Sequence, residues 1–162
     1  MKKGKFKYLI CDKKLPNGQT KRFRMIDHPG AVLIVPFMDE ARIILLRQFR
    51  PALGKYLYEL PCGTIDPNES PLVCAKRELI EETGYKGGTF AKLGEIYPAP
   101  GYTNEIIYLY KAGQLKAHEA EKDPDEIITT KVVDRSQIKS MFSSRKINDA
   151  KTICALVYCG WL

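Results

Sequence analysis

The chain has 162 residues, 44% apolar and 28% charged, with 26 Lys and Arg against 19 Asp and Glu, a formal charge of +7. That length and balance suit one soluble domain with a sizeable core and exclude a disordered or fibrous chain. No apolar run approaches the eighteen or more residues of a membrane span, and the lysines after Met1 predict no signal peptide.

The charge gathers at the start. Residues 1–24 carry nine basic side chains against Asp12 alone, and the remainder is close to neutral. A solvated lysine-rich arm is the default reading of such a run, and a surface for nucleic acid or a phosphorylated ligand is the sharper one. Within the arm, Asn17-Gly18 between residues 6–11 and 19–26 predicts a β-hairpin. Alternation puts Arg22, Arg24 and Ile26 on one face of its second strand and Phe23 and Met25 on the other. Residues 31–37 and 42–49 then predict a second hairpin, turning at Met38-Asp39-Glu40-Ala41 and apolar enough for burial on both faces.

The pattern changes between residues 59 and 85. A short strand ends at Leu60-Pro61-Cys62-Gly63, and 64–69 form a loop with turn residues at Asp66-Pro67-Asn68. Ser70-Pro71 opens a helix as N-cap and first helical residue. Leu72, Ala75, Leu79 and Ile80 are its expected buried stripe, and Gly84 is its C-cap. Strands are predicted at 92–97 and 106–111, an acidic loop at 118–126, a strand at 127–133, and closing helices at 136–142 and 148–159. The five cysteines are odd in number and lack a C-x-x-C pair, which predicts neither zinc site nor disulfide framework and suits a reducing cytoplasm. Cys154 and Cys159 read as small buried hydrophobes. The fold class is mixed α+β.

The central helix carries the chemistry. Glu81 lies at i+3 and Glu82 at i+4 from Glu78, and such like-charge pairs cost an isolated helix about 0.2–0.5 kcal/mol each. A hard divalent cation, Mg²⁺ or Mn²⁺, is the compensation that fits clustered carboxylates, with Glu69 a fourth acid supplied by the loop. The alternative is a solvated acidic helix face.

The wider spacing decides between them. Gly63, five residues, Glu69, seven residues, then Arg77-Glu78-Leu79-x-Glu81-Glu82-x-Gly84-Tyr85 resembles the signature of the Nudix hydrolases. Seven specified positions coincide by chance below about 10⁻⁷ per register, which sets the solvated face aside. Tyr85 stands where the family usually has an aliphatic residue. Asp27-His28-Pro29-Gly30-Ala31-Val32, Arg47-Gln48-Phe49-Arg50, Glu59-Leu60-Pro61-Cys62-Gly63, Pro100-Gly101-Tyr102-Thr103-Asn104-Glu105 and Asp149-Ala150-Lys151-Thr152 extend the resemblance to the ADP-ribose and nucleotide-sugar pyrophosphatase branch.

The resemblance implies an α/β/α sandwich with a mixed sheet at 29–162, preceded at 1–28 by the hairpin arm. It implies hydrolysis of ADP-ribose to AMP and ribose 5-phosphate, or of a related conjugate such as GDP-mannose or a dinucleotide. A non-catalytic nucleotide- or RNA-binding module is the reading from another class, disfavoured by the retained acids and by the lack of aromatic residues interleaved with the basic ones. Metal ligands are expected at Glu69, Glu78, Glu81, Glu82 and the backbone carbonyl of Cys62, with Glu81 and Glu82 also counted as catalytic. The base is expected in the acidic loop at Glu126, with Glu121, Asp123 and Asp125 as rivals. Arg50, then Arg47, are candidates for the diphosphate or base, Glu105 beyond the Pro100 turn for sugar hydroxyls. In this branch such hairpins commonly cross to a second subunit, so a homodimer is expected, with Arg22 or Arg24 reaching the other chain's ligand. His28 and Trp161 are assigned structural places, and Tyr97 and Tyr102 are divided between stacking on a base and packing.

Overall fold

The computed structural model describes residues 6–119 and 127–162. Two strands, β1 (Lys7–Lys14) and β2 (Thr20–Asp27), form the expected hairpin, with Gly18 at φ +83° in its turn. It leans on the body through Ile26 N–H, which donates to Tyr102 O at 2.8 Å, and through Asn104, whose Nδ2 donates to Asp27 Oδ1 at 2.8 Å. Tyr8 and Ile10 lie on the same face as Arg24 and Arg22 and stay 64% and 51% exposed.

The next segments depart from the predicted second hairpin. Strands β3 (Ala31–Pro36) and β4 (Arg42–Arg50) share a tight turn and one bridge, Phe37 to Ile43, and then enter different sheets. All six residues of β3 are buried, so both its edges and both its faces need cover. It takes β6 (Cys62–Thr64) antiparallel on one edge and β9 (Ile107–Gly113) parallel on the other, with β8 (Thr89–Ile96) antiparallel beyond β9. Strand β4 instead lies between β5 (Lys55–Glu59) and β11 (Ile128–Asp134), antiparallel to both. A two-residue pair, β7 (Tyr85–Lys86) with β10 (Lys116–Ala117), completes the strands among the described residues.

Helix α1 (Pro71–Thr83) covers one face of the mixed sheet, and α2 (Arg135–Ser143) and α3 (Ala150–Tyr158) cover the other. Alternation along β3 divides the core accordingly. Val32 and Ile34 meet Cys74, Ala75 and Leu79 of α1; Ala31, Leu33 and Val35 meet Ile138, Ala155 and Leu156 beneath. This is the α/β/α sandwich. Trp161 is buried, edge-on to Phe37 at 5.6 Å. Cys154 and Cys159, expected to be buried, are only half-buried, Cys159 as the C-cap of α3 packed against the core.

Both ends of α1 follow the capping rules. Ser70 Oγ accepts from Val73 N–H at 3.3 Å, Pro71 begins the helix, and Gly84 closes it at φ +74°, its N–H donating to Ile80 O at 2.8 Å. The buried stripe differs from expectation. It is Cys74, Ala75, Glu78, Leu79, Glu82 and Thr83, while Leu72 is 39% exposed and Ile80 half-buried.

Candidate active site

Two glutamates on the buried side of a helix demand partners, because a desolvated carboxylate is costly unless it is hydrogen-bonded or paired. Residues 59–64, crossing beneath α1, provide part of the answer. Glu82 is 4% exposed, and its Oε2 accepts from the backbone N–H of Cys62 at 2.8 Å. Glu78 is 8% exposed and lies directly against Gly63. A Cβ on Gly63 would sit 1.8 Å from Glu78 Cδ and 1.9 Å from Oε1. The backbone of Gly63 needs no left-handed φ, so the glycine is required by the carboxylate above it rather than by a tight turn.

Arg77 gathers the other oxygens. Its Nε and Nη2 donate to the two oxygens of Glu69, both at 2.9 Å; its Nη1 donates to Glu78 at 2.6 Å and to Glu81 at 3.0 Å. Glu81 is thus one of three acids that Arg77 hydrogen-bonds, and Asp66 Oδ2 lies 3.6 Å from its Nη2 as a fourth. Glu69 reaches the cluster because Asn68, at φ +65°, turns the loop back, and because Asp66 N–H donates to Glu69 Oε2 at 3.0 Å. The Arg77 hydrogen bonds lower the Glu69 carboxyl to about 2 and raise the guanidinium above its ordinary value.

A second, deeper ion cluster stands beside the first. Glu59 is fully buried and receives Arg50 Nε and Nη2 at 2.8 and 2.7 Å, together with the ammonium of Lys151. Burial alone would raise the Glu59 carboxyl, but these two cations leave it below its ordinary value. Lys151 also donates to Asp149 Oδ1 at 2.8 Å. The Cys62 thiol lies in this surrounding, and burial pushes it up to about 12, so at neutral pH it stays a thiol and the backbone is what residue 62 offers. The sequence names Glu59 and Lys151 only within motifs; no local pattern pairs residues 92 positions apart.

The structure brings Glu69, Glu78, Glu81 and Glu82 together and sets Cys62 beneath them. In this arrangement no three His, Cys, Asp or Glu side chains among the described residues form a metal cage, since three of the glutamates turn onto Arg77. The donor chemistry still fits a hard divalent ion, with four carboxylates and a carbonyl strand held where a Cβ would block it.

The remaining candidates hold other contacts. Arg50 is committed to Glu59 through two donors. Arg47 is on the opposite face of β4, its guanidinium 3.7 Å above the Tyr56 ring. Glu105 faces His28 at 3.8 Å, Pro100 is exposed in the turn before it, and Arg22 and Arg24 are exposed on the hairpin. His28 is a turn residue, its Nδ1 accepting Gly30 N–H at 3.1 Å. Tyr97 and Tyr102 are exposed. Glu126, Glu121, Asp123 and Asp125 lie outside the described residues.

Comparison with known proteins adds a family. The NUDIX domain model matches residues 27–156. An ADP-ribose pyrophosphatase of Bacillus subtilis is 36% identical over 92% of this chain and 82% of its own length. A methanol dehydrogenase activator of Bacillus methanolicus is 36% identical over 94% and 83%. A GDP-mannose pyrophosphatase of Escherichia coli is 33% identical over 80% and 72%. A solved structure of an ADP compounds hydrolase has the same fold, with a TM-score of 0.81 at 24% identity over 98% of this chain and 86% of that one.

Proposed function

The chain belongs to the Nudix family, and from that premise we propose that it is a divalent-metal-dependent pyrophosphatase splitting ADP-ribose into AMP and ribose 5-phosphate. The observation that carries this reading is the pair of buried glutamates, Glu78 and Glu82, aimed at Cys62 and a Gly63 with no room for a side chain. A helix that only covered a sheet would place apolar residues there.

Glu69, Glu78, Glu81, Glu82 and the Cys62 carbonyl are the proposed holders of Mg²⁺ or Mn²⁺. When bound, such ions neutralise diphosphate charge and lower the pKa of water. The chain's own residues do the rest. Arg77 keeps Glu69 ionised and sets the rotamers of Glu78 and Glu81, while Cys62 N–H fixes Glu82. The attacking water forms a new P–O bond as the bridging P–O bond breaks, and its proton passes to a carboxylate, for which we propose Glu126, then Glu121, Asp123 or Asp125. Arg50 and Arg47 are proposed for the diphosphate or base, and Glu105, placed by the Pro100 turn, for sugar hydroxyls.

The 1–28 arm is proposed to dimerise the 29–162 domain. Its exposed Tyr8 and Ile10 beside Arg22 and Arg24 support that, and either arginine would then serve the partner's ligand. No helix among the described residues is long and apolar enough to cross a membrane, and we propose a cytoplasmic enzyme without nucleic-acid partners. The GDP-mannose pyrophosphatase relative supports a second reading, hydrolysis of another nucleoside diphosphate sugar.

A panel of ADP-ribose, GDP-mannose and a dinucleotide, with Mg²⁺ or Mn²⁺ and product identification, tests both. ADP-ribose is expected to give the highest kcat/KM. Faster turnover of GDP-mannose selects the second reading, and unimpaired hydrolysis by Glu82→Gln would overturn the carboxylate mechanism.

A further inference from the structure

Apart from Arg50, the ion cluster around Glu59 has no place in the mechanism above, yet it is among the most buried polar features of the described residues. Glu59 lies at the end of β5, and the next residues run directly under the metal-binding helix. Two links tie this stretch to the first turn of α3. One is ionic, the Lys151 ammonium on the Glu59 carboxylate. The other is a hydrogen bond, Leu60 N–H donating to the fully buried Thr152 hydroxyl at 3.0 Å. The turn itself is fixed by Asp149, whose Oδ2 caps Thr152 N–H at 3.0 Å while its Oδ1 holds Lys151. On the other side, Ile34 N–H donates to Pro61 O at 2.9 Å. Residues 59–61 are thus held by side chains and backbone from three directions before the chain reaches Cys62 and Gly63.

Nothing in stability demands charged groups for this purpose. Replacing a buried ion pair with apolar residues of similar volume is often neutral or stabilising, because desolvation offsets the attraction. What the pair adds is direction: a carboxylate with Arg50 on one side and Lys151 on the other has one orientation that satisfies both. A displacement of Leu60 passes to Cys62 and Gly63, hence to Glu82, which hydrogen-bonds the first, and Glu78, which touches the second.

We infer that the first turn of α3, through Lys151 and Thr152, positions residues 60–63 beneath the carboxylates of α1, making these two side chains positioning residues for metal binding and hydrolysis. This rests on the function proposed above. Neither side chain touches substrate in the role assigned; both act through Glu59 and Leu60.

The test uses the full-length chain with Lys151→Met, Lys151→Arg and Thr152→Val. Mn²⁺ affinity is read without nucleotide, from the electron paramagnetic resonance signal of the free ion, and kcat and KM for ADP-ribose are read separately. Lys151→Met and Thr152→Val are each expected to weaken Mn²⁺ about tenfold and to lower kcat by a similar factor with KM unchanged, as supporting residues around metal ligands do. Lys151→Arg, which retains the charge, is expected to recover most of both. Wild-type Mn²⁺ affinity in Lys151→Met overturns the inference, as does a Lys151→Arg protein as impaired as the methionine variant. A raised KM at unchanged kcat also overturns it, because it would put Lys151 on the substrate. If Lys151→Met does not fold, Thr152→Val decides by the same criteria. A wild type that binds Mn²⁺ but hydrolyses no nucleoside diphosphate removes the functional reading and leaves the positioning of the metal site to the binding data; one that binds no Mn²⁺ removes both.

Discussion

Replacing Gly63 with alanine isolates the contact on which the site depends. The added Cβ would fall 1.8 Å from Glu78 Cδ, 1.9 Å from Oε1 and 2.4 Å from Oε2, whereas real Cβ contacts essentially never fall below 3.0 Å. The carboxylate must therefore retreat by more than 1 Å. It cannot do so alone, since Arg77 Nη1 holds it at 2.6 Å and the same guanidinium holds Glu69 and Glu81. A displacement of about 1 Å in a positioned catalytic group costs about 10²-fold in rate, or about 2.7 kcal/mol of transition-state stabilisation. The fold should tolerate the change, because Gly63 does not use positive φ and the clash is with the far end of a flexible side chain. A compatible Gly→Ala change even gains about 0.4–1 kcal/mol through the unfolded state.

The assay is ADP-ribose hydrolysis at saturating Mg²⁺, followed by phosphatase-coupled phosphate release, beside a thermal melt. Gly63→Ala is expected to lose about a hundredfold in kcat while its Tm stays within a few degrees of wild type. A double-mutant cycle with Glu78→Ala sharpens the test. With the carboxylate already gone, the alanine at 63 has nothing to displace, so Gly63→Ala/Glu78→Ala should match Glu78→Ala. Turnover of the single variant within threefold of wild type, or losses that simply multiply in the double variant, would show that the glycine protects something other than Glu78.

Two further expectations concern stability. Glu69 has a folded value of about 2 against an ordinary value of 4.5, so its contribution is full above about 4.5 and is lost as pH falls through about 2. The Tm difference between wild type and Glu69→Gln should accordingly narrow between pH 5 and pH 2, and a gap constant across that window would refute the Arg77 pairing as its source. Ser70→Ala removes the side-chain cap on Val73 N–H and should cost about 1 kcal/mol by urea unfolding at unchanged m, corresponding to about 2–4 °C in Tm. A loss within error of zero would mean that Pro71 alone sets the start of α1.

What could be read from the chain, and what could not, divides by the range of the interaction. Asn17-Gly18, Ser70-Pro71 and Gly84 act on their immediate neighbours, and the structure has the hairpin turn and both helix ends there. The sandwich and its mixed sheet were legible through the family resemblance that the motifs carry, and the clustering of Glu69 with the helix acids through the same signature. The fate of β3 and β4 was not. Two apolar runs joined by a short turn look like a hairpin, and the decision against it comes from β9, paired with β3 from about 75 residues away, and from β11, paired with β4 from a similar distance. Glu59 and Lys151 fall under the same limit: an acid at one strand end and a lysine in a late helix acquire meaning only when the fold buries both. The arm's charge is legible as charge, but alternation alone does not reveal that Phe23 and Met25 turn towards the 100–104 turn while Tyr8 and Ile10 face outward.

Helix α1 shows a different kind of miss, in which the periodicity is right and its orientation wrong. A stripe of Leu72, Ala75, Leu79 and Ile80 assumes that the apolar side faces in. The observed one is rotated by roughly 60–80°, at about 100° per residue, so that Leu72 points out and Glu78 and Glu82 point in. Hydrophobic burial alone favours the first orientation, since each buried leucine contributes about 1.5–3 kcal/mol and each buried carboxylate costs energy. The second is held by contacts that a hydropathy count cannot see: Arg77 on three acids, the Cys62 N–H on Glu82, and a glycine beneath Glu78. The two donors are specific to a carboxylate and neither would serve a leucine in the same place, while the glycine supplies the room. The orientation of α1 is therefore set by its acids, and the apolar residues pack in the space that this orientation leaves.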